Sequence, residues 1–332
     1  MTSSAPLVSE RPAPSAPGRS HPFARLVGAT LLCVAVTALV YVLSVHTTWG
    51  QQVGNNALLG RHQVGRDGAR AGLRLLDTIS LTSLGVAGLS LMALAAPRGR
   101  WRLAAGVAVV IAGANVTTQV LKRYILDRPD LLSGPAEYFH NSLPSGHATV
   151  AASLALALLL VVPRGLRVVA LVGGGIYAGA VGVATLATGW HRAGDVVAAW
   201  GVAGAFAFAV AAALTLAAPG PMPPRPPVAE RESAQRLATR LGTAAAWLLG
   251  LWALGLAVAL VLRHSTIDRV RNGVAFWSGC LWIVGSLLAL LALLVWAIRD
   301  VRLDAPTESG TDVDGHVTPV LDPTAEPKPA NT

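Results

Sequence analysis

His191 and Asp195 stand four residues apart, a spacing that on a helix brings an imidazole and a carboxylate to one face within reach of each other. A carboxylate there holds the ring in one tautomer and stabilises its charged form, leaving the other ring nitrogen to act as nucleophile or base. A second histidine, His147, follows Ser145 and Gly146 at the start of an apolar run. The unpaired N–H groups of a first helical turn and the positive end of its dipole favour an anion at such a place. Gly146 lets a ligand come close to the backbone, and Ser145 adds a hydroxyl. Lys122, Arg123 and Arg128, the last followed by Pro129, bring concentrated positive charge. Arginine grips phosphate oxygens through its planar fork. Together these parts describe a phosphate pocket with two histidines.

The elements that must position them are apolar. Hydrophobic residues make up 53% of the 332 residues and charged residues 13%, against roughly 25% charged in an average soluble domain, so the expected solvent is a bilayer. Runs long enough to cross about 30 Å of hydrocarbon as helices lie at roughly 24–46, 75–97, 101–122, 147–163, 167–189, 195–218, 241–262 and 274–298. The polar islands sit at the ends of these runs, where ionisable groups are costly unless they are used. With the N-terminus inside, 15 of the 26 Lys and Arg residues fall on the cytoplasmic side, and four of the remainder (Lys122, Arg123, Arg128, Arg192) belong to the islands. All three islands then share the outer face, as a single site requires. The formal net charge of +9 is spread in short clusters between apolar runs, a membrane-topology pattern and not a nucleic-acid-binding stripe.

Blander roles suit other residues. His46, His62, His140 and His264 read as interfacial, and Trp49, Trp101 and Trp190 as an aromatic belt. Asn55, Asn56 and Asn115 read as loop or interhelical hydrogen-bonding groups, and Cys33 and Cys280 as small buried hydrophobes.

The order of the islands resembles the type 2 phosphatidic acid phosphatase superfamily, membrane lipid phosphate phosphatases related to vanadium-dependent haloperoxidases. That signature has a Lys followed about six residues on by Arg-Pro, then Pro-Ser-Gly-His, then Ser-Arg followed by His and, four residues later, Asp. Here these fall on Lys122 with Arg128-Pro129, on Pro144 to His147, and on His191 with Asp195. The resemblance covers roughly residues 24 to 218. It implies that His191 attacks phosphorus to give a phosphohistidine oriented by Asp195, while His147 protonates the leaving oxygen and then activates water. It also implies that Lys122, Arg128, Ser145 and the Gly146 backbone hold the phosphoryl oxygens, with no metal or other cofactor.

Two departures stand out. Five residues separate Lys122 from Arg128 where the usual pattern has six, which turns the lysine relative to the arginine and brings Arg123 into consideration. The Ser-Arg of the third motif falls on Ala184 and Thr185. Three readings of that loss are open: Arg192 substitutes from the other side of His191, the substrate differs, or the enzyme is weak.

The expectation is an all-α, polytopic transmembrane helical bundle. It comprises a disordered cytoplasmic lead (1–22), a six-helix phosphatase core (23–218), a stiff proline-rich linker (219–240), two extra C-terminal transmembrane helices (241–298) and a disordered cytoplasmic tail (299–332). The expected partner is a membrane lipid phosphate or isoprenoid (pyro)phosphate, not nucleic acid, hydrolysed at the outer face of a prokaryotic plasma membrane. The alternatives are a non-catalytic lipid-phosphate binder or transporter, and an outer-surface phosphatase for small soluble esters.

Overall fold

The long apolar runs become helices, and the breaks fall where the local chemistry stops them. The computed structural model describes residues 20–96, 100–132, 140–217, 227–262 and 267–301, so the lead before residue 20, the first part of the linker and the tail beyond residue 301 lie outside the described residues. In chain order the helices are α1 (Ser20–Val45), α2 (Thr48–Gly60), α3 (Gly65–Asp77), α4 (Leu81–Ala95) and α5 (Trp101–Ile125). They continue as α6 (Gly146–Val161), α7 (Arg167–Ala187), α8 (Ala193–Ala217), α9 (Val228–Val261) and α10 (Asp268–Ile298). There is no strand among the described residues. The protein is a polytopic helical bundle.

Among the described residues six helices, α1, α5, α7, α8, α9 and α10, are long and apolar enough to cross a membrane, and the pair α2–α3 with α4, bent by 59°, makes up to seven. Eight separate runs were expected from composition, and two of them differ in the fold. The run at 75–97 is broken at Thr78–Ser80, where Ser80 caps α4 in a reciprocal pair with Ser83, so the apolar helix starts at Leu81. The run at 147–163 is only 16 residues as α6, stopped by Pro163. The expected linker is also shorter than its proline content implies. Beyond Pro227 the chain is helical from Val228, because its Ala, Glu, Arg, Gln and Leu residues are good helix formers and Glu232 and Arg236 pair one turn apart at 3.4 Å.

α8 is the centre of the bundle. After Asp195 it carries no charge, and it is apolar on every side, the composition of a helix surrounded by others. Trp200 and Phe208 are fully buried, and Trp200 Nε1 donates to the Ile283 carbonyl of α10 at 3.2 Å. Its small residues set how closely α1 approaches: Gly194 faces Ser44, Gly201 faces Thr37 and Gly204 faces Cys33, each too tightly to admit a side chain. Cys33 and Cys280 are buried and unbonded, as expected.

The two ends of the bundle differ. At one, Arg25 pairs with Asp300 (2.9 Å), Arg164 with Glu230 (3.2 Å) and Arg231 with Asp300 (3.9 Å), tying α1, α7, α9 and the end of α10 together. At the other, α6 and α8 begin, α5 and α7 end, and the polar islands gather. There α2 runs antiparallel to the start of α10, Ala57 near Gly279 and Gly60 against Asn272, and α3 crosses the end of α7 with Gly72 against Thr188. Replacing Gly201 with Val drives a branched side chain into Thr37; we expect it to cost about 1–3 kcal/mol and lower the unfolding temperature in detergent by several degrees.

Candidate active site

Asp195 organises the islands. It lies in the first turn of α8, is 3% exposed, and accepts three hydrogen bonds on one carboxylate oxygen, Oδ2. The donors are the Ser142 hydroxyl, the Arg192 backbone N–H (3.0 Å) and the ring of His191, whose Nδ1 stands at 3.3 Å. The predicted i, i+4 pair therefore meets, with Nδ1 engaged and Nε2 left as the reactive nitrogen. The Asp195 carbonyl accepts the Ser145 N–H at 2.9 Å, so the second island is hung from the third by a backbone bond.

The turn that carries His191 is built from the end of α7. Gly189 takes a left-handed φ of +81°, where a side chain is strained, and the N–H groups of Trp190 and His191 return to the Thr185 carbonyl at 3.0 and 3.1 Å. Thr185, standing where the signature has arginine, is fully buried and spends its hydroxyl on the Gly182 carbonyl. No side chain at that position reaches toward a ligand.

Ser145 is fully buried as the N-cap of α6, accepting from the Ala148 N–H at 3.4 Å, and Gly146 opens the helix with the Gln119 amide nitrogen beside it. His147 is half-buried and within electrostatic reach of His191, Lys122 and Asp77. Its ring lies 5.2 Å from that of Trp190, so Trp190 is more than the belt residue expected: it is 44% exposed but packs on a site histidine.

The cations divide. Lys122 is half-buried on a π turn, closed by Leu126 N–H to the Leu121 carbonyl at 2.8 Å, and lies within electrostatic reach of Asp195. The widened turn points Lys122 in a direction a regular helix with that spacing would not. Arg123, beside it, is exposed. Arg128 is half-buried with Nε and one terminal nitrogen shielded from solvent and lacking a hydrogen-bond partner among the described residues, a cost that an anionic acceptor relieves. Burial and the neighbouring Arg192 charge pull its ionisation down to about 10, so it is still a cation at neutral pH. Arg192, 6% exposed, donates from Nε and one terminal nitrogen to Asn55 Oδ1 at 3.1 and 3.0 Å and from the other to Ser142 Oγ at 3.2 Å. It is committed to the Asp195 network and to α2.

Sequence reasoning missed Ser142, Gln51, Gln119 and Asp77, and gave Asn55 its hydrogen-bonding role without its partner Arg192. Gln51 Nε2 holds the Val45 and Pro129 carbonyls at 2.8 and 2.7 Å, linking α1 to the segment that carries Arg128. No local signal marks these residues, because their partners lie far away in sequence. Asn115, by contrast, does what was expected of it, bonding the Ile111 carbonyl and Ser153 Oγ between helices.

Residues 103–219 match the PAP2 superfamily, a segment that holds all three islands and is similar to the type 2 phosphatidic acid phosphatases. No curated protein and no solved structure matches the chain. The matched segment and the apolar helices are consistent with a multi-pass membrane protein related to these phosphatases. Arg128→Gln removes the unpaired buried donors and is expected to weaken binding of inorganic phosphate about 10- to 100-fold, measured by calorimetry on the detergent-solubilised protein.

Proposed function

We propose that the protein hydrolyses a lipid phosphate or isoprenoid (pyro)phosphate through a phosphohistidine at the extracytoplasmic face of a prokaryotic plasma membrane. The observation that carries the reading is the His191 Nδ1 to Asp195 contact at 3.3 Å, with Lys122, Arg128 and His147 within electrostatic reach of that pair. His191 Nε2 attacks phosphorus while Asp195 stabilises the imidazolium that forms. The bond from phosphorus to the leaving oxygen breaks, and His147 gives that oxygen its proton. His147 then takes a proton from water, whose oxygen attacks phosphorus, and the P–N bond breaks to release phosphate and free His191. Lys122, Arg128, the Ser145 hydroxyl and the backbone at Gly146 hold the equatorial oxygens.

Charge supports a phosphate as ligand. Lys122, Arg128 and Arg192 less Asp195 leave a formal surplus of two positive charges, the complement of a phosphate dianion. With these cations supplying the neutralisation, the reaction proceeds without a metal. The clustering of Arg25, Arg100, Arg164, Arg167, Arg231 and Arg299 at the opposite end supports a cytoplasmic location for that end, and hence an extracytoplasmic site.

One observation favours a second reading. With Thr185 in place of the signature arginine and Arg192 tied to Asn55, the phosphate clamp is one cation short, as in a protein that binds a lipid phosphate without turning it over. The two are separated by phosphate release from phosphatidate and from a polyprenyl diphosphate in the presence of a chelator. We expect release by the parent protein, loss of at least about 10³-fold in His191→Ala, and a slowing of about 10²–10⁴-fold in His147→Ala. Release unchanged in His191→Ala would overturn the mechanism; binding without release would establish the second reading.

A further inference from the structure

A cavity of about 590 Å³ lies between α1, α2, α8 and the α9–α10 hairpin, and its lining includes Arg128, Arg192 and Asp195 at one end and almost only apolar side chains elsewhere. The volume is within the roughly 300–1,000 Å³ of sites that enclose most of a small ligand. Along α1 it is lined by Leu32, Val36, Leu39 and Leu43, spaced four, three and four residues apart on one helical stripe. All four are substantially exposed, so this side of the cavity opens laterally from the bundle, toward lipid in a membrane. From Leu32 to Val45 the lining spans 13 residues, which at 1.5 Å each is about 20 Å, more than the ~15 Å half-thickness of the hydrocarbon core. The far wall is Trp252 of α9 and Trp282 of α10, stacked with centroids 5.0 Å apart.

We propose that this cavity receives the apolar chain of an anionic amphiphile whose phosphate lies toward Arg128, and that the α9–α10 hairpin is present to form its wall. The inference rests on the phosphatase reading and narrows it to long-chain substrates. Charge at one end and oil at the other match the two ends of such a molecule. Arg128 supplies the polar anchor, because its buried unpaired nitrogens need an acceptor that no described residue provides. The hairpin lies beyond the 103–219 family segment, so the wall is an addition this chain makes to that core. A chain entering between α1 and the hairpin stays in hydrocarbon while its headgroup reaches the polar end, and no soluble binding domain is needed.

The test compares a 16-carbon alkyl phosphate with a soluble short-chain phosphate ester. In the parent protein KM is expected to be at least about tenfold lower for the long ester, since each buried methylene adds to affinity. Ala289→Trp and Leu256→Trp, which fill the cavity from α10 and α9 away from the islands, are expected to raise KM for the long ester about tenfold or more and to leave kcat/KM for the short ester within about twofold. Equal effects on both esters, or none on either, would overturn the inference. Labelling the unaltered protein with a long-chain alkyl phosphonate bearing a terminal diazirine needs neither turnover nor a variant. Adducts on the lining helices α1, α2, α8, α9 and α10 support the cavity, and adducts confined to α3–α7 refute it. If neither ester is hydrolysed, the phosphatase reading fails by itself, and the labelling still decides where the chain lies.

Discussion

A single buried carboxylate holds the functional end of this protein together. An ionised group out of water costs several kcal/mol unless it is matched by donors, and Asp195 is matched by three on one oxygen. Each donor comes with a consequence. His191 is turned so that one nitrogen is occupied and the other free, Ser142 draws in the loop before α6, and the Arg192 N–H fixes the first turn of α8. Through its carbonyl the same residue holds Ser145, the cap of α6. Two motifs more than forty residues apart thus share one hub, which places both histidines, His147 in the first turn of α6 and His191 in the turn before α8.

The hub has to sit at a stable height in the bundle, and that depends on close packing. Gly194, Gly201 and Gly204 let α1 lie against α8, so the end of α1 arrives beside the start of α8 and α2 can begin next to the site. From there α2 sends Asn55 to Arg192 and Gln51 to the segment that carries Arg128. A region outside the family segment therefore steadies residues within it. Arg192 illustrates the effect of context on a charge. By position it is a candidate replacement for the lost third-motif arginine, yet its guanidinium is held by neutral acceptors on either side, which makes it a brace for Asp195 and α2.

The loss of the arginine at position 185 is matched by a reorganised helix end. Thr185 serves through its carbonyl, receiving two N–H groups of the turn that carries His191, while Gly189 supplies the left-handed residue that turn requires. Within the site, Arg128 is a cation with buried, unsatisfied donors, on a segment fixed by Gln51 and at the polar end of an apolar cavity. The proposed binding and chemistry thereby fall at the junction between a charged end and an oily interior.

Much of this was legible in the residues alone. Long apolar runs can satisfy their backbone only as helices in lipid, so the all-helical bundle followed from composition; the spacing of His191 and Asp195 pointed to the pair, which meets although His191 lies in the turn before α8 and not on the helix itself. Proline content misled at 228–240, where good helix formers override the neighbouring prolines, and hydropathy alone missed the Ser80 cap that breaks the expected span at 75–97. What only the tertiary structure decided are the contacts between residues distant in the chain: Ser142 on Asp195, Asn55 on Arg192, Trp190 on His147 and the cavity between α1 and the last two helices. Local periodicity governs which face of a helix a side chain occupies, but which helix that face meets depends on how closely small residues let neighbours approach, and that is a property of the packed bundle.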